Sequence, residues 1–85
     1  MSTVKTESVC GLMRRFISVT QQEIARKRRD IARTQDEIRE AQQRPQPNHE
    51  LIAALAGHIE RTERDLADDM NALQVLEEEF SAQCL

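Results

Sequence analysis

An isoleucine recurs at every seventh position through the first half of this chain, at Ile17, Ile24, Ile31 and Ile38. Cys10 continues the same phase toward the amino terminus. A seven-residue period keeps these side chains on one narrow face of an α-helix, and a period sustained for this long favours helices that wind around each other in a coiled coil. The repeat therefore predicts a long helix that packs along one stripe.

The second half of the chain carries a matching repeat of large apolar residues. It keeps the same spacing, with two leucines at the three-residue offset: Ile52, Leu55, Ile59, Leu66, Leu73, Leu76 and Phe80. We term these residues and the four isoleucines the seam. The composition also favours helices, because the 85 residues include only two phenylalanines as aromatics, two glycines and two prolines. The chain is predicted to be all-α.

Two prolines separate the repeats. Pro45 and Pro47 lack a backbone N–H and restrict the residue before them, so the first helix must stop there. Asn48 is the predicted N-cap of the second helix, because its side chain can accept an amide hydrogen of the first turn. The predicted elements of a single 1–85 domain are helix one at about 7–43, a turn at 44–48 and helix two at about 49–82. A turn this short makes the helices antiparallel neighbours.

Antiparallel pairing predicts which residues face each other. The numbers of facing residues should add to about 93, so that Ile31 faces Thr62. Near the centre Lys27 should meet Asp65 or Asp69. An ion pair there would fix the register at some cost in stability.

Several positions in phase with the seam are polar, and two helices enclose little core. These positions are Thr20, Lys27, Thr34, Thr62 and Asp69. We therefore expect a further surface to cover them, through dimerisation of two hairpins into a four-helix bundle. The residues expected to make the contact with the second copy or a partner, near the open end where the chain termini meet, are Val9, Leu12, Phe16, Val19, Met70 and Val75.

The charges are distributed unevenly although the net charge is only -3. Ten of the twelve Lys and Arg residues precede Pro45, and nine acids follow Pro47, so the two halves should attract each other. Arg26, Arg29 and Arg33 share one stripe of the first helix, which could contact phosphates. Nucleic-acid binding through these arginines is the alternative function.

Cys10 and Cys84 fall opposite each other at the open end in this register, where a disulfide would join the two ends of the hairpin. Residues 1–7 lack the apolar core of a secretory signal, and no stretch has the roughly 18 apolar residues of a membrane helix, so the chain is expected to be cytoplasmic. Disulfides are rare in that compartment. Two thiols are therefore the favoured interpretation, and the disulfide is the alternative.

The chain offers few residues for catalysis or metal binding. His49 and His58 are nine residues apart, which is not ligand spacing, and the sequence has neither a Cys-x-x-Cys pair nor a Gly-rich phosphate loop. A pair of helices also provides no pocket from which water is excluded. We expect no enzyme activity, no catalytic residue, no cofactor and no metal site.

These features favour a non-catalytic protein interaction module, an adaptor, scaffold or regulatory subunit that forms a homodimer, binds a protein partner and does not enter membranes. In outline the chain resembles the small helical hairpins that type VII systems secrete without signal peptides, which would imply a secreted hairpin. Their Trp-x-Gly turn is absent, since the turn here is Arg44-Pro-Gln-Pro-Asn48. The outline is also similar to the plasmid-encoded RNA-binding hairpin dimers.

Overall fold

The computed structural model describes residues 8–85, which form two α-helices that pack against each other as an antiparallel hairpin. Helix α1 spans Val9–Gln42 and helix α2 spans His49–Cys84. Within residues 8–85 there is no β-strand. Residue 7, where the sequence predicted the start of the first helix, lies outside the described residues.

Polar side chains begin both helices. Ser8 Oγ accepts a hydrogen bond from the Gly11 amide at 3.0 Å, and Asn48 Oδ1 accepts one from the Leu51 amide at 3.0 Å. Each oxygen satisfies one of the amide groups that have no partner in the first turn of a helix. The N-cap role predicted for Asn48 is confirmed, whereas the cap at Ser8 was not predicted.

Helix α1 runs without a break from Val9 to Gln42, so neither Gly11 nor Thr20 interrupts it. The seam follows the contact between the helices, where Ile24 is the most buried of its residues at 6% exposed. The other seam residues are half-buried. A hairpin alone therefore covers the heptad face of each helix only in part.

Two threonines of the contact are buried although their hydroxyls are polar. Thr34 is 2% exposed and Thr62 is 8% exposed. Thr34 Oγ1 donates to the carbonyl of Asp30 and Thr62 Oγ1 donates to the carbonyl of His58, both at 2.8 Å. Each hydroxyl is thereby satisfied within its own helix. The hairpin itself therefore buries these two positions, and dimerisation over the rest of the seam stays a prediction.

Contacts at the open end define the register. Cys10 is bonded to Cys84, and the guanidinium of Arg14 lies 5.4 Å from the centre of the Phe80 ring. Four residues forward in α1 thus correspond to four residues backward in α2, as antiparallel helices require. Farther along the hairpin the ammonium of Lys27 forms a salt bridge with the carboxylate of Asp69. Of the two acids predicted for Lys27, Asp69 is the one that it contacts.

Candidate interaction surfaces

Exposed apolar side chains lie on one side of α1 at the open end. Val9, Leu12, Phe16 and Val19 follow one another at intervals of three and four residues, which keeps them on one helix face. Their exposed fractions are 62%, 38%, 52% and 54%. Phe16 is the largest of the four and lies near the middle of the series. Together they form an apolar strip along about three turns of the helix.

The two apolar residues of α2 that were predicted to join this strip lie on different sides of the helix. Met70 and Val75 are five residues apart, which on an α-helix separates their directions by about 140°. Val75 is 58% exposed and lies on the same side of the hairpin as Phe16. Met70 lines a groove on the opposite side. We use the term apolar stripe for Val9, Leu12, Phe16, Val19 and Val75.

The basic residues singled out from the sequence come together around one hollow. Arg26, Arg29 and Arg33 line it with Asp30 and His58. Two of the guanidiniums, however, form ion pairs with acids of their own helix, at 2.7 Å from Arg26 to Glu23 and at 2.8 Å from Arg33 to Asp30. These carboxylates offset much of the positive charge that a phosphate would contact.

An inter-helix contact that was not predicted lies in the same hollow. His58 Nε2 is 2.7 Å from Asp30 Oδ2. This hydrogen bond, assisted by Arg33, holds the pKa of the Asp30 carboxyl below its usual range. Both residues flank the seam on the same side, which is the signal in the sequence, but their numbers add to 88 rather than to about 93, so the predicted register alone did not pair them.

The ion pair between Lys27 and Asp69 is the most sheltered charge pair among residues 8–85. The side chain of Lys27 is 16% exposed and that of Asp69 is 26% exposed. The hydrogen bond to Asp69 raises the pKa of the Lys27 ammonium. Glu23 lies 3.7 Å from the same ammonium. The pair occupies seam positions where apolar residues would otherwise meet, so it favours one register over the alternatives.

A groove runs along the side of the hairpin opposite the apolar stripe. It has a volume of about 660 Å³. Ile24 and Leu73 of the seam form its floor, and Arg28 and Met70 belong to its walls. Arg28 Nη2 lies 3.8 Å from the sulfur of Met70. We term this surface the groove side.

The structure joins the two cysteines in a disulfide, with their Cα atoms 5.8 Å apart. The interpretation as two thiols, which was favoured from the sequence, is corrected in favour of its alternative. That interpretation depended on the expected compartment, whereas the register alone brings the two side chains within bonding reach. The disulfide closes the open end directly beside Val9 and Leu12.

The histidines do not converge. His49 is an exposed residue of the first turn of α2, and His58 is held by Asp30. Across residues 8–85, the His, Cys, Asp and Glu side chains form no group of three or more that could hold a metal ion. In the same range, neither helix combines the length and apolarity of a membrane span.

Comparisons with protein-family models, with curated proteins and with solved structures find no match to this chain.

Proposed function

We propose that this chain is a non-catalytic interaction module, an adaptor, scaffold or regulatory subunit that binds an α-helix of a partner protein. The observation that carries the proposal is the apolar stripe. Its four members on α1 recur at the spacing with which one amphipathic helix packs against another. The proposed binding site is therefore a surface rather than a pocket.

The energetic reason is that these side chains contribute little to the hairpin itself. Burial of a Val, Leu or Phe side chain stabilises a structure by about 1.5 to 3 kcal/mol, and much of that gain is not realised where half of the side chain remains in water. Phe16, at 52% exposed, has the most area left to bury. Large aromatic residues near the centre of an interface commonly dominate its affinity. Phe16 is thus the anchor of the proposed contact.

Three of the four cysteines and histidines of the chain are engaged in contacts within the hairpin. Cys10 and Cys84, the only cysteines of the chain, are bonded to each other. The imidazole of His58 contacts Asp30, and the adjoining hollow is lined by arginines. A pair of this kind activates a nucleophile only when a hydroxyl or thiol lies within hydrogen-bond reach. These assignments support a binding role.

The test is affinity purification from the source cell with the wild-type chain and two variants. Phe16→Ser combined with Val19→Ser removes the centre of the apolar stripe. Leu51→Ser is the control, because Leu51 is also an exposed apolar residue, 42% exposed, but lies beside the turn at the other end. Circular dichroism should show equal helix content for all three proteins. Nuclease treatment of every sample removes partners retained through nucleic acid.

The proposal requires a protein that the wild type and the Leu51 variant retain and the Phe16 variant loses. The interaction should then be reproduced with the two purified components. Retention of the same proteins by all three chains would overturn it. So would a partner whose binding disappears after nuclease treatment.

Nucleic-acid binding is the second candidate, supported by the hollow that Arg26, Arg29 and Arg33 line together. Their exchange for glutamate should abolish binding to RNA or DNA at low salt if this function is correct, because the phosphate contacts are electrostatic. The apolar stripe would be unaffected. Loss of nucleic acid alone in this variant therefore distinguishes the second candidate from the first.

A further inference from the structure

The charges on the groove side are segregated by helix. The row of α1 that flanks the seam on this side carries Arg14, Gln21 and Arg28 at seven-residue intervals. The corresponding row of α2 carries Glu63, Met70 and Glu77, also at seven-residue intervals. One row is therefore basic and the other is acidic. On the opposite side, α1 carries both signs, as the pair of Glu23 and Arg26 illustrates.

Within residues 8–85, none of these charges has an ionic partner. Among the described residues, Arg28, Glu63 and Glu77 take part in no ion pair with one another or with other side chains. Arg28 instead contacts the sulfur of Met70 at 3.8 Å, and Arg14 lies over the ring of Phe80. An exposed guanidinium beside a thioether is a weak arrangement compared with a guanidinium beside a carboxylate. The groove side thus retains unused capacity for ion pairing.

The residues between the two charged rows are small or flexible enough for a second pair of helices to pack closely on the groove. Ala25 on α1 and Ala67 on α2 occupy the next rows outward, and both are small. Met70, 45% exposed, projects beside the groove whose floor Ile24 and Leu73 form. Small outer residues let a second helix pair settle toward that floor, and the flexible Met side chain can adapt to it. The surface is apolar at its centre and charged at its edges.

We propose that the groove side is covered by a second copy of this chain, so that α1 of each copy packs on α2 of the other. Charge complementarity identifies the occupant, because the basic row of one copy matches the acidic row of the next. A two-fold axis parallel to the helices keeps every residue at its own height along the hairpin. Arg28 of one copy then lies about one helical turn from the level of Glu63 of the other, and Arg14 lies about one turn from the level of Glu77, distances that these long side chains can span.

The alternative arrangement places α1 on α1 and α2 on α2. It would bring the arginine rows together and the glutamate rows together, and such like-charge contacts oppose association. The proposed arrangement forms each complementary contact twice, once for each copy. The product is a four-helix bundle with both turns at the same end.

This inference rests on the proposed function as a helix-packing module and gives its homodimer a specific face. The two faces are separate, because the groove side and the apolar stripe lie on opposite sides of the hairpin. The dimer therefore leaves the apolar stripe of each copy available to a partner helix.

The test uses the full chain with its disulfide intact and measures mass by sedimentation equilibrium. Arg28→Glu and Glu63→Arg are prepared separately and then mixed in equal amounts. Each variant alone sets like charges opposite each other twice, so its dimer should dissociate at about tenfold higher concentration than the wild type.

In the mixture, each contact of the mixed dimer again joins opposite charges. The new carboxylate at position 28 of one copy meets the new guanidinium at position 63 of the other. The second contact joins the two native side chains, Arg28 of the Glu63→Arg variant and Glu63 of the Arg28→Glu variant. The mixed dimer should therefore recover the affinity of the wild type.

Arg29→Glu is the matched control, since it makes the same change of charge on a helix face away from the groove. It should leave the dimer unchanged. A rearrangement inside one hairpin cannot reproduce recovery in the mixture, because neither variant contains both changes. Circular dichroism of each variant establishes that the helices are retained.

A monomeric wild type at the highest concentration studied would overturn the proposal, as would a mixture that dissociates like its components. A dimer that Phe16→Ser weakens and Arg28→Glu does not would also overturn it, and would assign the contact to the apolar stripe. None of these results bears on whether a different protein binds the apolar stripe. That question is decided by the purification experiment, so the two proposals fail separately.

Discussion

Cys10 and Cys84, separated by 74 residues in the sequence, are joined at the open end of the hairpin. The bond links the first turn of α1 to the last turn of α2 and encloses nearly all of both helices in one ring. It also sets the position of the apolar stripe, whose first residue, Val9, adjoins Cys10. Fraying of the first turn of α1 would displace Val9 from the rest of the stripe.

The disulfide should contribute strongly to stability because the ring that it closes is long. Cross-linking a loop of this length restricts the unfolded chain by an amount worth about 4 kcal/mol in the chain-entropy model. Cys10→Ser combined with Cys84→Ser should lower the free energy of unfolding by a similar amount. Urea unfolding followed by circular dichroism measures it. The wild type with reductant is the control and should match the double variant; equal stability of oxidised and reduced protein would contradict this prediction.

Removal of one partner of the Lys27–Asp69 pair should lower the stability of the protein, whereas replacement of both by apolar residues should not. Lys27→Met leaves a sheltered carboxylate without its cation, and Asp69→Leu leaves a sheltered ammonium, so each change should cost about 2 kcal/mol. The double substitution removes both charges and should restore a stability close to that of the wild type. A double-mutant cycle in urea measures the coupling. Additive losses in the double variant would argue against a direct interaction.

The contact between His58 and Asp30 predicts acid sensitivity. Because the pKa of Asp30 is lowered in the folded chain, its contribution to stability is present above the unfolded pKa of about 3.9 and is lost as the pH falls through the folded value. Thermal unfolding between about pH 5 and pH 2 should therefore show a smaller loss for Asp30→Asn than for the wild type. Parallel pH profiles for the two proteins would show that the contacts of the Asp30 carboxylate do not stabilise the folded chain.

The N-cap of α2 can be tested by a single substitution. Asn48→Ala removes the oxygen that accepts the Leu51 amide and should lower stability by about 1 kcal/mol. Asn48→Asp retains an acceptor and is the control. Chemical unfolding of the three proteins gives the comparison, and an alanine variant as stable as the wild type would exclude a capping role.

Substitution of Gly57 by alanine should stabilise the protein. Gly57 lies inside α2, where alanine is favoured over glycine by about 1 kcal/mol. A Cβ at this position would lie 3.3 Å from Arg61 Nη1, which belongs to the end of a flexible side chain and can move. Gly57→Ala should therefore raise the midpoint of thermal unfolding. A lower midpoint would mean that the Arg61 side chain cannot yield.

The hairpin was predictable because its signals are local and repeated. The heptads and the two prolines specify helices, a turn and an antiparallel register without knowledge of any distant contact. The same register located the partner of Lys27 to within one helical turn. Repetition is what made this possible, since each seam residue supports the phase of the next.

The details of the surfaces were less predictable because they depend on direction around the helix and on competition between partners. Met70 and Val75 are close in sequence yet lie on opposite sides of the hairpin. Arg26 has acids nearby on both helices, Glu23 on its own and Asp69 on α2, and it forms its ion pair with Glu23. The bond between Cys10 and Cys84 was judged from the expected compartment rather than from the geometry. For Arg26, Met70 and Val75 the residue was identified and its surroundings were not, whereas for the cysteines the neighbour was identified and the bond was not favoured.

The register of the hairpin, on which both proposed surfaces depend, is tested most directly by nuclear Overhauser effects from the methyl groups of Ile24. Ile24 and Leu73 line the floor of the same groove, so their methyl groups should give a cross-peak within one molecule. A shift along α2 by about one or two heptads would instead bring Ile24 near Phe80 or Ile59. Cross-peaks from Ile24 to Leu73, with none to Ile59 or Phe80, are the predicted result. The reverse pattern would contradict the register and remove the basis of the groove side and the apolar stripe.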